Sequence, residues 1–168
     1  MSARTAAAPS RPIAAPADGD WRDYAGLAGR IVVGALLLFS GVHKASAPAE
    51  EFMVVLEGYG ILPDVYLSLF ARLVPWTEVV AGAFLFAGLW TRFAATATAG
   101  LSASFFAALL YTKLRGIELP NCGCFGQSVH LERWQAMLLD ATLIAFSVAA
   151  WRWGLAKFSL DNWVEEGS

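Results

Sequence analysis

Apolar residues in this chain do not alternate with polar ones but run together. Four stretches, residues 24–45, 64–90, 93–114 and about 132–153, each carry an apolar run of membrane length, because about 30 Å of hydrocarbon takes roughly 20 residues of helix. Barrel strands would alternate residue by residue, and these runs do not. Backbone groups in lipid must be satisfied within helices or a closed barrel. The pattern therefore predicts an all-α integral membrane protein, a four-helix bundle.

Between the first two runs the period changes. Phe52, Val55, Leu56 and Tyr59 stand at spacings 0, 3, 4 and 7, the apolar stripe of a helix. Ser46 as a cap, an early Pro48 and the acidic Glu50 and Glu51 mark a helix start, and Gly58 and Gly60 mark its end. A short amphipathic helix on the extracytoplasmic surface, covering the mouth of the bundle, is one reading; a plain connector is the other. Pro75 interrupts the second run, so either one long helix bends there or a short helix precedes a span that starts at Pro75. The third run, rich in Ala, Thr, Ser and Gly, reads as the central packing helix, because small residues let helices approach closely in lipid. Trp21, Trp76, Trp90, Trp134, Trp151 and Trp153 fall near the expected span ends, where indole rings favour the headgroup level.

Composition agrees with lipid as the solvent. The chain has 168 residues, 57% hydrophobic and 15% charged, against about 45–50% and about 25% in soluble domains. A net charge of −2 and no basic stripe leave nothing to suggest a nucleic-acid partner. Residues 1–23, rich in Ala and Pro near the start, are expected to form a disordered cytoplasmic tail. Residues 24–155 would be the membrane domain with a loop at 119–130, and 156–168 a cytoplasmic tail. A cleaved signal peptide ending at "ASA", residues 45–47, is the competing reading of the first run. The long preceding tail, Lys44 in the cleavage region and Pro48 just after it speak against that.

Charge near the spans sets orientation. With the N-terminus inside, Arg4, Arg11, Arg22, Arg92, Arg152 and Lys157 are cytoplasmic, and Lys44, Lys113, Arg115 and Arg133 lie outside. This places both termini in the cytoplasm, and the loop between spans three and four outside, where disulfides persist.

That loop, "LPNCGCFGQ", holds the chain's two cysteines, Cys122 and Cys124. Two extended residue steps cover about 6.6–7.2 Å, at or beyond the usual limit of about 6.8 Å between bridged Cα atoms. A bridge therefore requires a bend at Gly123, and so small a ring would be of the labile, oxidising class. Redox cycling of the pair, a static staple, or a Cu(I) or Zn site completed by His130 or His43 are the three readings.

Ionisable groups inside spans are functional candidates by default. Glu78 leads them, either at membrane depth or in a first helical turn. Lys44, at the outer end of span one, can pair with Glu78, tuning a thiolate or relaying protons, or can snorkel to the headgroups. Arg115 or His43 could also act on a thiol, and Arg72 is another partner for Glu78. Asp140 and Arg30 are expected to pair with each other structurally, and His130 to be a solvated loop residue. Phe105, Phe106 and Tyr111 could flank a membrane quinone, or simply pack.

"GALLLFSGVHKAS" in span one, "VPWTEVVAGAFLFAGL" in span two and "NCGCFGQ" after span three resemble the MauE branch of the DoxX-like membrane proteins, over residues 24–155. The resemblance implies a four-helix protein of bacterial methylamine utilisation that helps mature a periplasmic, disulfide-rich dehydrogenase subunit. Taken with the residues, it leads to an expected thiol–disulfide factor using Cys122 and Cys124, with Glu78 and Lys44 in support and an extracytoplasmic thiol protein as partner. A non-catalytic assembly scaffold and a metal-handling protein are the alternatives.

Overall fold

The computed structural model describes residues 21–119, 122–123 and 131–153. Five helices make up the described residues: α1 (Trp21–Ser46), α2 (Ala49–Tyr59), α3 (Asp64–Ala87), α4 (Thr91–Leu114) and α5 (Arg133–Trp153). All but α2 are long and apolar enough to cross a membrane, so the chain is a multi-pass helical membrane protein. The expected spans agree with these helices to within a few residues at each end. The two tails and most of the cysteine loop, including Cys124 and His130, lie outside the described residues.

The four long helices form a square. α1 packs on α3 and α5, α4 packs on the same two, and α1 lies diagonal to α4. The closest approach is a glycine seam between α1 and α3. A Cβ on Gly34 would sit 2.8 Å from the Phe86 nitrogen, one on Gly41 2.8 Å from the Pro75 oxygen, and one on Gly82 2.9 Å from the Leu38 nitrogen. In lipid, where apolar side chains gain nothing by leaving the solvent, such backbone contact holds helices together. The small-residue helix α4 is therefore not the central one; Ala94, Ala95, Thr98 and Ser102 are buried toward its two neighbours.

Pro75 lies within a continuous α3, its missing N–H tolerated where α1 presses closest. This sets Glu78 at mid-helix and takes Trp76 away from a span end, leaving it exposed partway along α3. α1 begins at Trp21, inside the stretch assigned to the tail, where the ring meets Trp153 edge-on at 5.8 Å between centroids. Its far end runs through Ser46, whose hydroxyl bonds back to the Val42 carbonyl at 2.7 Å. Ser46 therefore closes α1, and Pro48 takes the cap position of α2.

α2 is amphipathic as its spacing predicts. Phe52, Val55, Leu56 and Tyr59 are all buried, in a cluster with Leu67, Ala71, Leu109, Cys122 and Ala136. Its length ends at Gly60, whose left-handed φ of 63° lets its N–H reach the Glu57 carbonyl at 2.9 Å, a conformation that suits glycine. The helix thus covers one end of the bundle, over the cysteine loop.

Candidate functional site

Ser40 and Lys44 are one turn apart on the buried stripe of α1 that also holds Val33 and Leu37. Because Gly41 lets Pro75 and Val79 press against α1, Glu78 on the next turn of α3 comes within reach of both. Lys44 Nζ donates to Glu78 Oε1 at 2.7 Å, and Ser40 Oγ donates to Oε2 at 2.9 Å. Lys44 is 3% exposed and Glu78 also 3%. Lys44 thus turns into the bundle instead of snorkelling, with its ammonium 5.1 Å from the Phe52 ring centroid and 5.3 Å from that of Phe105. Two aromatic faces and a carboxylate replace its water, which offsets part of the cost of burying the charge.

Asp140 joins this group from α5. With Ser40, Lys44, Glu78 and Ser102 it lines a cavity of about 30 Å³, and its Oδ2 is buried with no hydrogen-bond partner in the protein. The expected Asp140–Arg30 pair does not form. Arg30 lies 14 positions before Lys44, about 21 Å along the helix, and its Nε donates to the Leu85 carbonyl at 3.3 Å. Nor does Arg72 meet Glu78: it is exposed on a different face of α3.

Cys122 is buried, 3% exposed, beneath α2, and its thiol is free. The Tyr59 hydroxyl donates to the Cys122 carbonyl at 2.7 Å, and Cys122 Sγ lies 3.3 Å from the Leu131 carbonyl. Next to it Gly123 has a left-handed φ of 70°, and a Cβ there would collide with the Val55 side chain and lie 3.6 Å from Phe52. Only glycine fits both the dihedral and the space. Phe52 therefore touches the cysteine loop on one side and the Lys44 ammonium on the other.

Burial pushes the Cys122 thiol above its ordinary ionisation range, Arg133 opposes this, and Glu132 and Asp140 add to it. The cation acting on the thiol is thus Arg133, which hydrogen-bonds the Ile117 carbonyl at the start of α5. Arg115 is exposed, its guanidinium 5.8 Å from the Tyr111 ring centroid. His43 is half-buried near Phe39, 6.2 Å between centroids, with a buried Nδ1 that has no protein partner. Among the described residues no three His, Cys, Asp or Glu side chains gather as metal ligands. Phe105 faces Lys44, while Tyr111 is well exposed.

Ser40, Asp140 and Arg133 are the site residues that sequence reasoning missed or placed elsewhere. The signal for Ser40 was its position four residues before Lys44 on one helical face. For Asp140 and Arg133 it would have been the register between α5 and α1, which no single helix carries.

Residues 22–154 match the family model of Methylamine utilisation protein MauE. A curated relative, Methylamine utilization protein MauE of Paracoccus denitrificans, is 30% identical over 116 residues, covering 68% of this chain and 62% of the relative. The chain thus matches less than two thirds of that relative's length. No solved structure matches it.

Proposed function

The chain belongs to the MauE family, and from that premise we propose that it is a thiol–disulfide redox or maturation factor of the bacterial inner membrane. It acts through Cys122 and Cys124 on an extracytoplasmic thiol protein. A disulfide-rich secreted subunit is the fitting class of partner, and a methylamine dehydrogenase subunit agrees with the methylamine utilisation named for its relative. Both termini lie in the cytoplasm and the cysteine loop outside, as the Lys and Arg distribution favours.

The observation that carries this reading is the bend at Gly123. An extended chain would hold the two cysteines at the limit of bridging distance, and Gly123 between them has a positive φ of 70°, away from the extended backbone of an ordinary residue. The glycine is held in this bend by Val55 and Phe52 of α2. In the exchange, a thiolate of the pair attacks a partner disulfide, forms a mixed disulfide and expels one partner thiolate. The second cysteine then attacks the mixed disulfide, releasing a reduced partner and closing the bridge; run backwards, the same steps oxidise the partner.

A buried thiol with raised ionisation is unreactive at rest, so exchange requires α2 to lift from the loop. Lys44 and Glu78 lie behind the Phe52 ring that packs on the loop, and their role is to tune a thiolate of the pair electrostatically. Trapping thiols in intact cells with a membrane-impermeant reagent, before and after reductant, tests the proposal. An oxidised, externally accessible fraction is expected; a pair that stays reduced and unreachable sinks both the redox role and the orientation. Partner maturation persisting in Cys122→Ser, Cys124→Ser points to a scaffold. Stoichiometric metal on the purified protein, lost in that variant, points to metal handling.

A further inference from the structure

Each of the four spans brings a buried oxygen to one place in the bundle core. Ser40 comes from α1, Glu78 from α3, Ser102 from α4 and Asp140 from α5, and with Lys44 they line the cavity of about 30 Å³. Asp140 is 4% exposed, and its buried Oδ2 meets no protein donor. A carboxyl at membrane depth is costly unless something answers its charge.

The charge of the cavity comes first in deciding what that is. Lys44 is matched by Glu78 at 2.7 Å, and α5 carries no other ionisable side chain between Arg133 and Arg152. α4 contributes Ser102 and Phe105, neither of which titrates. α2 lays only the Phe52 ring over the Lys44 ammonium, its Glu50, Glu51 and Glu57 being exposed. The cluster is therefore one negative charge in excess, which a monovalent cation balances and a divalent one would overshoot.

Donor type and size narrow the choice. The acceptors around the cavity are carboxylate and hydroxyl oxygens, the ligands of hard cations. Ser40 gives its proton to Glu78 Oε2, so its own lone pairs remain to face an ion, and a carboxylate oxygen can accept more than one partner. About 30 Å³ is room for one or two waters. A bare inorganic ion with a single retained water fits that space, and an organic cation does not.

We propose that this cavity binds one sodium ion, held by Asp140 together with Ser40, Glu78 and Ser102, and that the ion ties α4 and α5 to the α1–α3 pair. A proton on Asp140 would cancel the same charge, but it needs one acceptor and not oxygens from four helices. The site is separate from the thiol chemistry and does not depend on it.

The test uses the full chain in lipid nanodiscs, with sodium as the only probe and choline replacing it at constant ionic strength. At mildly alkaline pH, equilibrium uptake of radioactive sodium saturates at a single ion per chain. Sodium at about ten times its Kd raises Tm by roughly 3–6 °C. Asp140→Asn reaches neutrality without the ion, so it takes up no sodium and its Tm does not respond. Ser102→Ala keeps the charge but loses an oxygen, and binds sodium about tenfold more weakly. In acid a proton competes for Asp140, and sodium uptake falls.

A parent protein with no saturable sodium uptake overturns the proposal, whether or not Asp140→Asn folds. A sodium-dependent Tm that survives in Asp140→Asn overturns it as well, because the ion then sits elsewhere. Stabilisation by acid alone, equal in sodium and in choline, assigns the missing charge to a proton on the carboxyl and removes the ion.

Discussion

Arg30 and Lys44 lie on one helix, both nearly fully buried, and meet opposite kinds of partner. Arg30 donates to the Leu85 carbonyl in the last turn of α3, beneath the left-handed cap at Gly88. That is the negative end of a helix dipole, a fixed partner that cannot change its protonation. Lys44 meets a carboxylate at mid-helix, with a second carboxyl alongside and two aromatic faces over it. The arginine end of the bundle is therefore a closed structural joint. At the lysine end two acids share one cation, an arrangement whose protonation can change.

The comparison breaks most readily at Glu78. Glu78→Gln strands the Lys44 charge in the core, and losing one partner of a buried pair costs about 3–5 kcal/mol. Thermal unfolding in detergent should show the largest loss of any variant here, and adding Lys44→Met should recover most of it. At the arginine end, Gly88→Ala places a Cβ against the Arg30 guanidinium at a φ of 72°. The overpacking is expected to cost about 1–3 kcal/mol, and the same melting assay should leave Cys122 alkylation untouched.

Smaller effects sharpen the account of the loop. Tyr59→Phe removes the hydroxyl bond to the Cys122 carbonyl, worth about 1 kcal/mol. If α2 gates the thiol, Cys122 should then alkylate about fivefold faster at fixed pH; an unchanged rate would mean that the lid does not control access. Arg133→Gln removes the cation that opposes the rise at Cys122. A thiol that has lost a stabilising positive charge ionises at still higher pH, so the alkylation profile should move in the alkaline direction and the rate at neutral pH should fall. A profile moved in the acid direction would contradict the placement of Arg133.

Much of the architecture could be read in advance, and its failures share a cause. The Phe52, Val55, Leu56, Tyr59 stripe identified α2 because a helix on a surface has one wet and one dry face. Within lipid both faces of a span are apolar, so periodicity could not tell that Lys44 points inward, or that α4 is not central. Pro75 was ambiguous for a related reason: whether a helix continues through proline depends on what packs around it, here Gly41 of α1.

By itself the sequence determined the number of the spans, the apolar stripe of α2, and the need for a bend at Gly123 in any bridge between the cysteines. Those are properties of run length, local period and backbone sterics, which a short segment carries within itself. Only the tertiary structure decided that Lys44 meets Glu78 and not the headgroups, that Asp140 stands with them and not with Arg30, and that Cys122 is buried under α2 with Arg133 as its cation. Each of these follows from the register between helices, which the glycine seam and the square arrangement set and no single helix encodes.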